Sequence, residues 1–296
     1  MLTFRTISMA DRPWITAALQ QSQFQGCEYC FSNNLAWYRA YDSRIASFQG
    51  FYIIAAFGTE DGIPDVTVPS GSGDWDALLR ELRETLCPHG EPLRLTGVTR
   101  EMAAFLQTRF PDAVWQPDAA AFDYIYHTED LIALKGKRYH KKRNHLHQFR
   151  NRYDWTFSEL TEADAEACIA FSANLYNQKD GYSDRSSVVE QYAIHTFFTH
   201  FQELGLCGGV LRVAGKLVGF SIGEPLNRNT FVTHIEKADI AYQGAYTALT
   251  QAFTERFAAG YPYLNREEDL GIAGLRQAKA SYYPAYLLEK GTLCIL

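Results

Sequence analysis

The chain of 296 residues contains no apolar run long enough to cross a membrane. Its longest, Phe51 to Phe57, is the length of a buried strand. The opening Met1-Leu2-Thr3-Phe4-Arg5-Thr6-Ile7 has no signal-peptide core, so a cytoplasmic protein with no stable membrane insertion is expected. No kinase set or His-Glu-x-x-His metal motif occurs, and Gly219-Phe220-Ser221-Ile222-Gly223 falls within an expected strand and not at a nucleophile elbow. Cys27-Glu28-Tyr29-Cys30 is a lone CxxC with no second pair or histidines at ligand spacing. All six cysteines, at 27, 30, 87, 168, 207 and 294, are therefore expected as reduced structural thiols, with no metal.

Disorder is excluded as well, because 47% of the residues are hydrophobic and 21% charged. The formal charge is −6, but it is unevenly spread. Residues 135–152 hold eight Lys or Arg and no acid, which leaves −14 for the rest. Such a concentration asks for an anionic partner or a solvated helix face. Tyr139, Leu146, Phe149 and Tyr153 recur there at helical spacing, predicting a docked amphipathic helix that turns Lys141, Lys142, His145 and Arg152 outward or into the groove between domains.

The chain repeats itself at half length. Thr3-Phe-Arg-Thr-Ile-Ser8-Met-Ala-Asp11 is echoed by Thr156-Phe-Ser-Glu-Leu-Thr161-Glu-Ala-Asp164. In each copy Ser8 or Thr161 is a natural helix cap, and a helical pattern follows. Both halves then mix strands and helices. Strands are expected at 51–57, 63–68, 93–98, 121–126, 230–237 and 263–265, and a hairpin at 209–223 turning on Ala214-Gly215. Helices are expected after Asp74 and over 101–110, 187–204, 242–259 and 272–283. Pro69-Ser-Gly-Ser-Gly-Asp74 reads as a strand-to-helix turn, without Walker or dinucleotide spacing. The fold class is α/β (α+β). A first domain is expected over 1–134, a basic interdomain helix over 135–153 and a second domain over 154–296.

Strand alternation over 230–237 puts His234 and Glu236 on one face with Val232, and Lys237 on the other with Ile235. A histidine and a carboxylate so placed can act as a base and its orienter, grip an amine, or form a buried polar pair. Further on, Asn265-Arg266-Glu267-Glu268-Asp269 leads into a helix that carries Arg276, Lys279 and Tyr283 on a shared face. Three acids can hold a cationic amine, and the basic face can meet a phosphate or carboxylate.

Two blocks, Glu129-Asp130-Leu131…Gly136-Lys137…Arg143-Asn144 and Gly274-Leu275-Arg276…Lys279…Pro284, resemble the C-terminal domain of phosphatidylglycerol lysyltransferases. His234-Ile-Glu236-Lys237, Gly244-Ala-Tyr246 and Asn265-Arg-Glu-Glu-Asp269-Leu-Gly271 are similar to a branch of shorter homologues of that domain. The resemblance implies two tandem GNAT domains, as in the Fem peptidyltransferases. It also implies transfer of an aminoacyl group from aminoacyl-tRNA to a small-molecule or peptide acceptor, with no cofactor required. On that reading Lys141, Lys142 and Arg143 hold tRNA phosphates, and His234 or Glu236 takes the proton or binds the amine. Tyr246 meets the oxyanion. Glu267 and Asp269 recognise a cationic amino acid, with Lys237, Asn265, Arg266, Arg276 and Lys279 completing the binding set. The sequence departs from the family pattern at His140, where a lysine is usual. Ala241-Tyr-Gln-Gly244-Ala-Tyr246 departs from the acyl-CoA loop Arg/Gln-x-x-Gly-x-Gly/Ala, with Ala at its first position and Tyr at its last. An acyl-CoA N-acyltransferase and a non-catalytic ligand-binding GNAT pair are the alternatives.

Overall fold

Ser8 and Asp11 close a capping box in the computed structural model of the chain, and Thr161 and Asp164 close another. In each box the aspartate accepts from the backbone N–H and hydroxyl of the capping residue. Each aspartate also pairs with an arginine, Arg5 in one copy and Arg212 in the other. The half-length repeat is thus a repeated way of starting a helix.

The structure describes residues 1–177 and 185–296. Two compact units form. One is built from Met1–Asp123, Glu268–Leu275 and Leu287–Leu296, the other from Tyr124–Glu267 and Arg276–Tyr286.

In chain order the first elements are α1 (Arg12–Ser22), α2 (Phe31–Trp37), β1 (Ser43–Phe48), β2 (Phe51–Ala56), β3 (Asp65–Gly71), α3 (Trp75–Leu86), β4 (Leu93–Thr99), α4 (Arg100–Gln107) and β5 (Val114–Pro117). There follow β6 (Asp123–His127), α5 (Thr128–Ala133), α6 (His140–Arg152), β7 (Trp155–Glu159), α7 (Ala165–Asn177), α8 (Arg185–Thr199), α9 (Phe201–Leu204), β8 (Cys207–Val213) and β9 (Lys216–Pro225). The last are β10 (Thr230–Ala238), α10 (Ala245–Phe253), β11 (Tyr263–Asn265), α11 (Ala273–Ala280), β12 (Tyr286–Leu288) and β13 (Lys290–Ile295).

One sheet runs β1-β2-β3-β4-β13-β5 and the other β12-β6-β11-β10-β9-β8-β7. Each contains a parallel pair, β3–β4 in the first and β10–β11 in the second, next to a run of antiparallel strands. The strand beside β4 is β13, from the end of the chain, and the strand beside β11 is β6, from its middle. Each sheet therefore takes a strand from the other half of the sequence.

Local sequence explains the main elements. Asp74 caps α3 by accepting from the N–H groups of Asp76 and Ala77, and Leu78, Leu79 and Leu82 are fully buried beneath it. Each such leucine contributes about 2 kcal/mol of burial. Ala214 and Gly215 both have positive φ, the requirement of a two-residue hairpin between β8 and β9. β3 runs on to Gly71 rather than stopping at Val68, and Pro69 sits where its ladder with β2 shifts register. The helix expected from Tyr242 starts at Ala245 and ends in a π turn over Thr254–Ala258.

The basic helix α6 lies within the second unit. Tyr139, just before it, and Leu146 and Phe149 on it pack with Leu211, Val213, Val218, Ala245, Ala248 and Leu249. Gly244 makes this packing close: its φ is +91°, and a Cβ there would lie 2.4 Å from the carbonyl oxygen of His145. The glycine that sequence similarity places in a ligand loop is thus required by helix packing.

Candidate active site

The parallel pairing of β10 with β11 lasts only from Thr230 opposite Tyr263 to Val232 opposite Asn265. β10 then continues to Ala238, while β11 ends at Asn265. The two strands splay, and polar side chains gather where they part.

The ladder between β10 and β9 shifts register between Thr233 and Ile235, leaving His234 as an extra residue. This bulge overturns the simple alternation. His234 stacks on Phe197 of α8, with ring centroids 5.3 Å apart. Lys237 reaches Tyr176 of α7 at 2.7 Å and Glu190 of α8 at 2.8 Å. Glu236 instead faces α10, accepting from the Thr250 hydroxyl at 2.9 Å. His234 therefore shares its face with Lys237, and Glu236 stands on the opposite one.

His234 is buried between two carboxylates. Nδ1 lies 2.8 Å from Glu267 and Nε2 3.0 Å from Glu224. With both ring nitrogens on acids, the ring acts as a clamp and has no nitrogen left to accept a proton from a nucleophile. The clamp holds Glu267, whose φ of +58° is unusual for a side-chain-bearing residue. The buried Asn265 side chain accepts from the Glu267 N–H at 2.6 Å.

Between these two anchors stands Arg266. Its Nη2 donates to Glu236 Oε1 at 2.8 Å, and its guanidinium lies 4.9 Å from the ring centre of Tyr282 and 5.7 Å from that of Tyr126. Its side chain is 12% exposed. Nη1 is buried and has no hydrogen-bond partner among the described residues. Burial alone would lower the Arg266 pKa, but the charge of Glu236 and the neighbouring tyrosines raise it, so the cation is fixed. Lys279 donates to the Arg266 carbonyl at 2.6 Å, holding the backbone that presents it.

Lys142 of α6 joins the same cluster. Its Nζ lies 3.6 Å from the Tyr282 ring centre and donates to Ser281 at 2.7 Å. Burial, then the charge of Arg266, lowers its pKa to about 8, against a smaller opposing effect of Glu236. Tyr246 is raised by burial above the ordinary tyrosine value, so it stays a neutral phenol.

The other expected residues separate. Lys141 is exposed on the outer face of α6. Arg143 donates to the carbonyls of Leu134 at 2.5 Å and Gly136 at 2.7 Å, tying down the left-handed turn before the helix. Asp269 is buried in the first unit and accepts from the Gly271 N–H at 2.8 Å, and Glu267 is taken by His234. Arg276 is exposed on α11.

The first unit holds a polar cluster that the sequence alone did not mark. The buried Lys290 ammonium lies 2.9 Å from Asp123 and 2.7 Å from Glu28. Cys27 Sγ lies 3.4 Å from Asp123 and 3.1 Å from Glu268. Burial alone would lower the Lys290 pKa, yet the charges of Asp123, Cys27, Glu28 and Glu268 hold it well above the usual value. Cys27, Asp123 and Glu268 are close enough to hold a metal ion. The lysine already supplies the positive charge there, which makes the cluster a structural ion network. Cys27 and Cys30 are both buried.

Among the described residues, no helix is long and apolar enough to cross a membrane. A conserved protein of unknown function from Bacteroides thetaiotaomicron is 37% identical over 100% of both chains, with a TM-score of 0.94. L-PGS from Bacillus licheniformis superposes with a TM-score of 0.64 at 17% identity, covering 95% of this chain and 90% of that one. A tandem GNAT protein from the clavulanic acid pathway gives 0.51 at 12% identity, over 99% and 98%. These show a broadly GNAT-like α+β fold with two β-sheet lobes. An uncharacterised protein of Mycoplasmoides gallisepticum is 26% identical over 171 residues; the match takes in 57% of this chain and 54%, about half, of that relative. The family model described as "Phosphatidylglycerol lysyltransferase, C-terminal" matches residues 19–291, and the chain belongs to that family.

Proposed function

We propose that the chain is an acyltransferase that moves an aminoacyl group from an aminoacyl-tRNA to an acceptor at the splay between β10 and β11. The observation that carries this reading is that one helix serves two surfaces. α6 turns Lys142 inward to the Tyr282 and Arg266 cluster. The same helix and the residues just before it show solvent Lys135, Lys137, Lys141 and Arg152, none of which forms an ion pair among the described residues. A polyanionic donor bound on that outer face would deliver its acylated end toward the inner one.

In the reaction, the acceptor's nucleophile attacks the ester carbonyl of the donor, the bond to the ribose oxygen breaks, and a proton passes from nucleophile to leaving group. Glu236 accepts that proton: both of its hydrogen bonds fall on Oε1, which leaves Oε2 for the attacking group. Tyr246, kept neutral, donates to the tetrahedral oxyanion. His234 positions Glu267 and takes no part in proton transfer. Acyl-CoA fits less well as a donor, because the start of α10 is packed against the His145 carbonyl through Gly244.

Binding of a mixed aminoacyl-tRNA pool tests the outer face. Lys141→Ala combined with Arg152→Ala is expected to weaken binding and reduce the slope of log K against log salt by up to about 2. Unchanged affinity and slope would remove the tRNA role.

A further inference from the structure

We infer that the substrate entering the splay carries a carboxylate that is bound by Arg266 Nη1. This deepens, and rests on, the reading of the splay as the reaction site.

The acids on the second unit's part of the cluster are already engaged. Glu224 and Glu267 hold His234, and Glu236 takes Arg266 and Thr250 on one oxygen. The cations are not balanced in the same way. Arg266 spends Nη2 on Glu236 and keeps Nη1 buried without a partner among the described residues. Lys142 meets a neutral hydroxyl and a ring face, and pairs with no carboxylate among the described residues. Arg266, Lys142 and Glu236 together carry +1 when Lys142 is protonated, which is one monoanion short of neutrality. A buried guanidinium N–H left unbonded is costly, and a planar carboxylate is the group it binds best. A phosphate dianion would overshoot the charge. A cationic side chain would meet two like charges beside the Tyr282 ring.

The carboxylate can belong to an acidic aminoacyl group or to an acceptor with a carboxylate near its amine. Calorimetric titration of the full chain separates the two sources. In the donor arm, the α-amides of glutamate and glutamine are compared; in the acceptor arm, leucine and leucinamide. The carboxylate form is expected to bind at least about tenfold more tightly than its neutral counterpart in one arm, and that arm names the source. Arg266→Gln should erase the preference. Lys142→Met, which leaves Arg266 in place, should reduce it severalfold. Equal binding of carboxylate and carboxamide in both arms, tighter binding of lysinamide than of glutamate α-amide, or no binding in either arm overturns the inference. Aminoacyl transfer observed with no carboxylate preference sinks this inference and leaves the proposed function intact. A carboxylate preference with no transfer from any aminoacyl-tRNA does the reverse.

Discussion

Arg266 donates to Glu236 at 2.8 Å across the gap where β10 and β11 part, so the cation and the acid of the cluster fix each other. Substituting Glu236→Gln keeps the shape and removes the proton acceptor. Aminoacyl transfer under single-turnover conditions should fall by about 10²-fold or more. A loss of less than about threefold would take Glu236 out of the proton path.

His234 is a clamp, and its replacement should be felt in stability. His234→Ala leaves Glu224 and Glu267 without the buried ring that bonds to both of them, at a cost of about 3 kcal/mol. Urea denaturation measures it. A variant with full stability and a hundredfold loss of activity would restore His234 as a catalytic base.

Gly244→Ala puts a Cβ against the His145 carbonyl at a residue with φ of +91°. The expected cost is about 2 kcal/mol, from backbone strain plus the displacement of α6. An alanine variant as stable as the parent would show that α6 does not dock as described.

Lys142 has a folded-state pKa of about 8, below the ordinary lysine value of 10.5. Between those values the unfolded chain holds a proton that the folded chain lacks, so this group makes stability rise with pH across that window. Below pH 8 both states are protonated and the contribution is flat. Lys142→Met should remove this part of the pH dependence while keeping contact with Tyr282. An identical pH profile in the variant would mean that Lys142 titrates normally.

Much of the fold could be read from residue patterns, since the elements were set by local chemistry. The capping boxes at Ser8 and Thr161, the leucines of α3, the Ala214-Gly215 hairpin and the apolar stripe of α6 all act within a few residues. The site was less legible. A bulge at His234 moved Glu236 to the other face, and strand alternation carries no sign of it. Glu267 bonds to His234 and Arg143 to backbone carbonyls, partners that are distant in sequence or are not side chains. The passage of β13 into the first sheet, and the Lys290 cluster it brings, depend on long-range pairing that periodicity does not encode.

The central claim is transfer from aminoacyl-tRNA at the β10–β11 splay, and label transfer measures it directly. The purified chain is incubated with a pool of radiolabelled aminoacyl-tRNAs and a cell extract as the source of acceptor. The account predicts label in a small-molecule or peptide product with the parent chain, and about a hundredfold less with Glu236→Gln. No transfer to any acceptor, together with CoA retained on the purified protein, would contradict it.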